Sequence, residues 1–234
     1  MDQTAIFIDM NVKMTIEFVG TPTVDVVQGC EVNGFRASVF LAASATGVKL
    51  PPLIVFAGIP GGPVSHSVWS PYFGSPGCEH TVQRKAYCSE DVKHEWIQRI
   101  WRPSVDGCKL LLLDSLKVHK MQTVKTVLEE KCCTPVEFIP PGITGIAQPM
   151  DVAVMKSFKD HVRYVYATND LAITNDFPET SQQKRELLSR FVADAWNKVL
   201  AASIRNGFIK SGIVPIGPRD SADRFRVGEV QTRA

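Results

Sequence analysis

The chain is poor in the features that usually declare a function early. It has no apolar run of membrane length and no signal-peptide pattern, so an intracellular setting with reduced thiols is expected. None of its six cysteines (Cys30, Cys78, Cys88, Cys108, Cys132, Cys133) forms a Cys-x-x-Cys pair, and no histidine pair accompanies them, which argues against a structural zinc site. A dominant charge is missing too. With 26 basic and 24 acidic residues the net charge is +2, so charge alone does not mark a nucleic-acid binder. Internal repeats and low-complexity tracts are absent, which sets aside solenoids and disordered linkers.

What remains is ordinary globular composition. Apolar residues make up 44% and charged residues 21% of 234 positions, enough to bury a sizeable core. One domain over residues 1–215 is expected, with a polar tail over 216–234. Charge drifts along the chain from −2 over residues 1–60 to +3 over residues 151–234, a weak pointer to an anion-facing C-terminal half. Solvated helix faces explain the same drift.

The pattern of apolar residues predicts a mixed α/β fold. Strands are expected over 1–8, 37–43 and 48–56 as an antiparallel meander, with Pro51-Pro52 making the third an edge strand. Residues 57–87, rich in Gly, Pro and Ser, read as a long loop. Ser89-Glu90-Asp91 opens a helix whose inner face carries Val92, Trp96, Ile97 and Ile100, and Pro103 stops it. Two buried strands, Lys109–Asp114 and Val136–Ile139, flank a helix over 120–131, the spacing of a parallel crossover unit. A helix beginning at Asp151 and a long helix over 181–206, ended by Gly207, complete the reading. Trp96 and Trp196 fall on apolar faces as core anchors.

Ligand crevices in such units lie beyond the carboxyl ends of the strands, where Asp114 stands. Asp151 occupies a first helical turn and Asp2 the start of the first strand. Carboxylates brought to one sheet edge suit Mg²⁺, which prefers oxygen ligands and commonly shares its shell with substrate phosphate. On spacing alone, Asp114 and Asp151 serve equally well as a strand terminator and a helix cap.

Several blocks carry a family resemblance: Met1-Asp2-Gln3-Thr4, Leu112-Leu113-Asp114 with His119, Pro140-Pro141-Gly142 through Gln148-Pro149-Met150-Asp151, Phe158-Lys159, Ala195-Trp196, and Asn206-Gly207-Phe208. In order over about residues 1–215, they resemble the DDE endonuclease domain of pogo/Tigger/Jerky-type transposases. The resemblance implies an RNase H-like mixed sheet flanked by helices, two Mg²⁺ or Mn²⁺ ions, and DNA strand cleavage and transfer. It implies catalytic and metal-binding roles for Asp2, Asp114 and Asp151, with Ser115, His119 and Gln148 in support. It also implies DNA as partner, a homodimer as candidate assembly, no membrane, and nuclear residence. Lys156, Lys159 and Arg163 recur on one side of the helix after Asp151, where DNA backbone contact and simple solvation are both open.

Three departures from the family pattern stand out. Ser115 replaces the usual Asn after the second aspartate, Gln3 replaces an acidic residue beside the first, and Asp2 stands at the very start, so an N-terminally truncated domain is expected. They favour the competing reading of a catalytically inactive, domesticated DNA-associated or interaction module.

Overall fold

A computed structural model describes residues 1–7, 36–168, 178, 180–214 and 221 of the chain. Strands β1 (Asp2–Phe7), β2 (Arg36–Leu41) and β3 (Leu53–Ala57) form the expected antiparallel meander, with Asp2 opposite Leu41 and Phe40 opposite Leu53. A second sheet pairs β5 (Leu111–Leu113) with β6 (Val136–Phe138) in parallel. The Met1 nitrogen donates to the Leu112 carbonyl at 3.0 Å, which lays the start of β1 against β5. Three antiparallel strands beside a parallel pair, with helices on both faces, make the mixed α/β architecture expected above.

Alternation along the strands explains why both faces are covered. In β2 and β3, Val39, Leu41, Ile54 and Phe56 enter one core, while Phe40, Leu53 and Val55 enter the other. The first core is closed by helix Met155–Thr168 through Phe158 and Val162, and by helix Ser181–Lys198 through Leu188, Val192 and Trp196. The second core takes Val92, Trp96, Ile97 and Ile100 from helix Glu90–Trp96 and its wider-wound continuation Ile97–Trp101. It also takes Leu111 and Leu113 of β5, with Val124 and Leu128 from the 122–131 helix.

The structure departs from the sequence expectations at four places. Residues 57–87 contain a helix, Pro63–Val68, and a strand β4 (Glu79–Gln83). Because β4 pairs with β3 in parallel, β3 is internal; Pro51 and Pro52 precede it and spare its ladder. The fifth strand is only three residues long, since Leu110 is exposed. The final helix breaks in two, Ser181–Lys198 and Ala201–Lys210. Lys49 explains the break: its ammonium donates to the carbonyls of Trp196, Asn197 and Val199 at 2.7, 3.1 and 3.0 Å, satisfying a helix end with a cation. Gly207 therefore lies inside a helix, where a Cβ would meet the Pro149 carbonyl at 2.7 Å.

The fourth departure concerns the thiols. Cys108 and Cys133 form a disulfide with their Cα atoms 4.8 Å apart, because each lies just ahead of one of the two paired strands. Cys78, Cys88 and Cys132 are free thiols. The expected 216–234 tail lies outside the described residues, Ser221 apart. Among the described residues no helix is long and apolar enough to cross a membrane.

Candidate metal centre

Each of the three aspartates is placed by a different local device. Asp2 opens β1 and is only 7% exposed; the Gln3 amide donates to its Oδ1 at 2.7 Å. Asp114 follows β5 directly. Asp151 sits in the first turn of a helix that starts at Met150 and runs on to Thr168, where a carboxylate complements the exposed amides. Pro149 before it cannot donate a backbone hydrogen bond and its fixed φ suits a helix start.

Asp2 and Asp151 come within hydrogen-bonding reach of each other. Burial raises the Asp2 carboxyl to about 7, and the neighbouring charge of Asp151 adds to the shift. Two carboxyls so close, one buried and one exposed, repel when both are ionised, and a divalent cation between them would remove the conflict.

Asp114 is held differently. Its Oδ1 accepts from His119 Nδ1 at 2.5 Å and from the Leu116 amide at 3.3 Å, and Oδ2 has no hydrogen bond among the described residues. Burial works to raise this carboxyl, but the His119 hydrogen bond and charge outweigh it and leave Asp114 below its ordinary value. Burial holds His119, itself 1% exposed, below its ordinary value despite Asp114. A neutral ring donating from Nδ1 leaves Nε2 as acceptor, and the Cys88 thiol stands 3.9 Å from it. Burial raises Cys88 to about 11, so the thiol keeps its proton for that contact. Cys88, His119 and Asp114 thus form one chain that fixes which carboxylate oxygen faces outward.

The supporting residues are equally specific. The Ser115 hydroxyl donates to the Ile139 carbonyl at 2.7 Å, tying the ends of β5 and β6 together. Gln148 is 2% exposed, and neither its side-chain oxygen nor its nitrogen has a partner among the described residues. A buried amide with both atoms unsatisfied calls for a ligand or water. Lys156, Lys159 and Arg163 are exposed, and Arg163 pairs with Asp160 at 2.8 Å.

The donor set fits a divalent ion at its acidic pair, Asp2 with Asp151, beside the oriented Asp114. Among the described residues no three His, Cys, Asp or Glu side chains stand within range to share one ion. The sequence reading missed Cys88, and it passed over Lys93, a fully buried lysine of the Glu90–Trp96 helix. Lys93 was legible in principle, because it occupies the same helical stripe as Trp96, Ile97 and Ile100.

An α/β domain with carboxylates collected at one sheet edge is the class that fold and site define. The profile described as DDE superfamily endonuclease matches residues 35–208. The mouse and human proteins named "Pogo transposable element with KRAB domain" are 29% and 30% identical over 221 and 223 residues. Both matches cover 91% of this chain and 34% of the relative, so the chain spans about a third of their length. Among solved structures, the Mos1 transposase paired-end complex with left transposon end matches with a TM-score of 0.38 and 14% identity, over 86% of this chain and 54% of that one. The chain belongs to the DDE superfamily endonucleases, as a transposon-derived domain of the pogo type.

Proposed function

We propose that this domain cleaves and joins DNA strands with divalent metal ions, Mg²⁺ or Mn²⁺, shared out among Asp2, Asp114 and Asp151 and substrate phosphate. The observation that carries the reading is the carboxyl pair Asp2–Asp151 beside an Asp114 already aimed by His119. When bound, the metal supplies charge stabilisation for in-line displacement at phosphorus. Water bonds to phosphorus, the P–O3′ bond breaks, a proton leaves to solvent and the 3′-hydroxyl departs; in strand transfer a 3′-hydroxyl takes the place of water. Asp114 keeps one oxygen forward because its other oxygen is tied to His119 and Leu116. Asp2 is fixed by the Gln3 amide, and Asp151 by its helical turn. Gln148 brings an unsatisfied amide to the turn that carries Asp151. Lys156 and Lys159 follow it on an exposed face suited to phosphate contacts. The partner is DNA, the compartment the nucleus and the working assembly a homodimer, with two metal ions as the complement of three carboxylates.

Nicking of supercoiled plasmid tests the reading. Cleavage is expected with Mg²⁺ or Mn²⁺ and not with chelator, and Asp114→Asn should lower it by at least about a hundredfold while the thermal midpoint holds. Metal-independent nicking, or full activity in that variant, would remove the assignment. A folded protein that binds DNA yet never nicks it would leave an inactive DNA-associated module.

A further inference from the structure

Lys93 has 0% exposure, and its surroundings are poor for a charge. Its ammonium meets the Met1 thioether sulfur at 3.3 Å and the Trp96 ring at 4.4 Å from the centroid. Among the described residues no carboxylate pairs with it. Both contacts are weak for an ammonium, and burying one without an ionic partner is costly. An apolar side chain such as Met fits the same stripe at no such cost, so packing alone does not call for lysine here.

The position of the charge suggests its use. Met1 precedes Asp2 directly, and Lys93 acts electrostatically on Asp114 and on Cys88 of the Cys88–His119–Asp114 chain. The titratable groups that face it are therefore the Met1 amine, Cys88, His119 and Asp114. Because Lys93 is fixed in place, its charge acts on the site even through the screening that water at the exposed side supplies.

We infer that Lys93 is a positioning residue, a fixed buried cation behind the acidic centre that balances its carboxylates before metal arrives and so weakens metal binding. The inference rests on the proposed metal site. It makes the acidic centre tolerable when empty, and leaves metal capture more dependent on the phosphates that substrate brings. Burial also lowers the Lys93 ammonium to about 8, so it still carries its charge at neutral pH.

Mn²⁺ titration of the full chain at neutral pH, read by electron paramagnetic resonance or calorimetry, tests this without any turnover. Lys93→Met should bind Mn²⁺ at least roughly threefold more tightly, as expected for removing one positive charge near a partly water-screened divalent site. Its thermal midpoint should be equal or higher. The exposed Lys109→Met should leave affinity unchanged, and Lys93→Gln repeats the measurement if the methionine variant fails to fold. Affinity within twofold of the parent, or weaker, in the folded Lys93 variant overturns the role. A parent chain that binds no Mn²⁺ overturns the metal site and this inference together, and shows that before any substitution is made.

Discussion

Two buried histidines serve this fold in opposite ways. His80, on β4, meets the Ser189 hydroxyl at 2.7 Å and packs against Phe56 and Phe73 with ring centroids 6.3 and 5.0 Å away. His119, beyond β5, meets a carboxylate and a thiol. Burial depresses both rings, taking His80 to about 4 with help from Arg99. The same shift therefore has different meanings. Beside a hydroxyl and two aromatic rings, a neutral imidazole is a packed, polar-satisfied core residue. Beside a strand-end aspartate, it selects which oxygen faces the solvent side of the site. Partner chemistry, more than burial, separates a structural histidine from a positioning one.

The largest effect that would sharpen this contrast is the pH dependence of stability without metal. Asp2 is raised from 3.8 to about 7, so its favourable contribution is complete below 3.8 and fades as pH climbs through 7, by about 4 kcal/mol at most. Urea unfolding between pH 4 and 8 should show this loss in full once His80 is replaced, and Asp2→Asn in the parent should leave stability rising toward pH 6.5. His80 has the opposite sign: its contribution is full above 6.5 and is lost as pH falls toward 4, about 3 kcal/mol in all. The two slopes partly cancel in the parent, so single variants are needed to see either one.

Next in size, His80→Ala should cost about 2–4 kcal/mol of stability through its cavity and the loss of its bond to the Ser189 hydroxyl, which keeps only the Ser75 amide. Nicking per folded molecule should not change. His119→Gln reverses the pattern, lowering nicking about 10- to 100-fold while unfolding moves by less than about 1 kcal/mol. Equal losses of activity from both histidine variants would erase the distinction. The smallest effect is expected from Lys49→Met, which strips three carbonyl contacts from a helix end. It should cost about 1 kcal/mol by denaturant midpoint and leave the acidic centre untouched.

Much of the fold was legible because burial imposes period. Strands β2 and β3 alternate between two cores, and the helices after Ser89 and Asp151 announce themselves through caps and apolar spacing. In the Cys88–His119–Asp114 chain the resemblance pointed to His119 beside Asp114, whereas Cys88 was not legible, because it lies 31 residues from His119 and meets the ring only once β5 is in place. Strand β4 escaped notice because Gly and Pro around it mask a five-residue run, Glu79–Gln83, whose partner is fixed by tertiary pairing. The helix break at Val199 depends on Lys49, some 150 positions earlier, so no local signal marked it. Of the three aspartates that the resemblance named, the geometry brings Asp2 and Asp151 together and ties Asp114 to His119, without gathering all three around one point among the described residues.

Gly207 links that centre to the far end of the chain. Its missing side chain lets helix Ala201–Lys210 lie flush against the Pro149 carbonyl, with Ala153 close by. The turn bearing Asp151 is thus propped from outside by a segment more than fifty positions downstream. A single methyl at that contact would act as a wedge, tilting Asp151 out of alignment without altering any acidic residue.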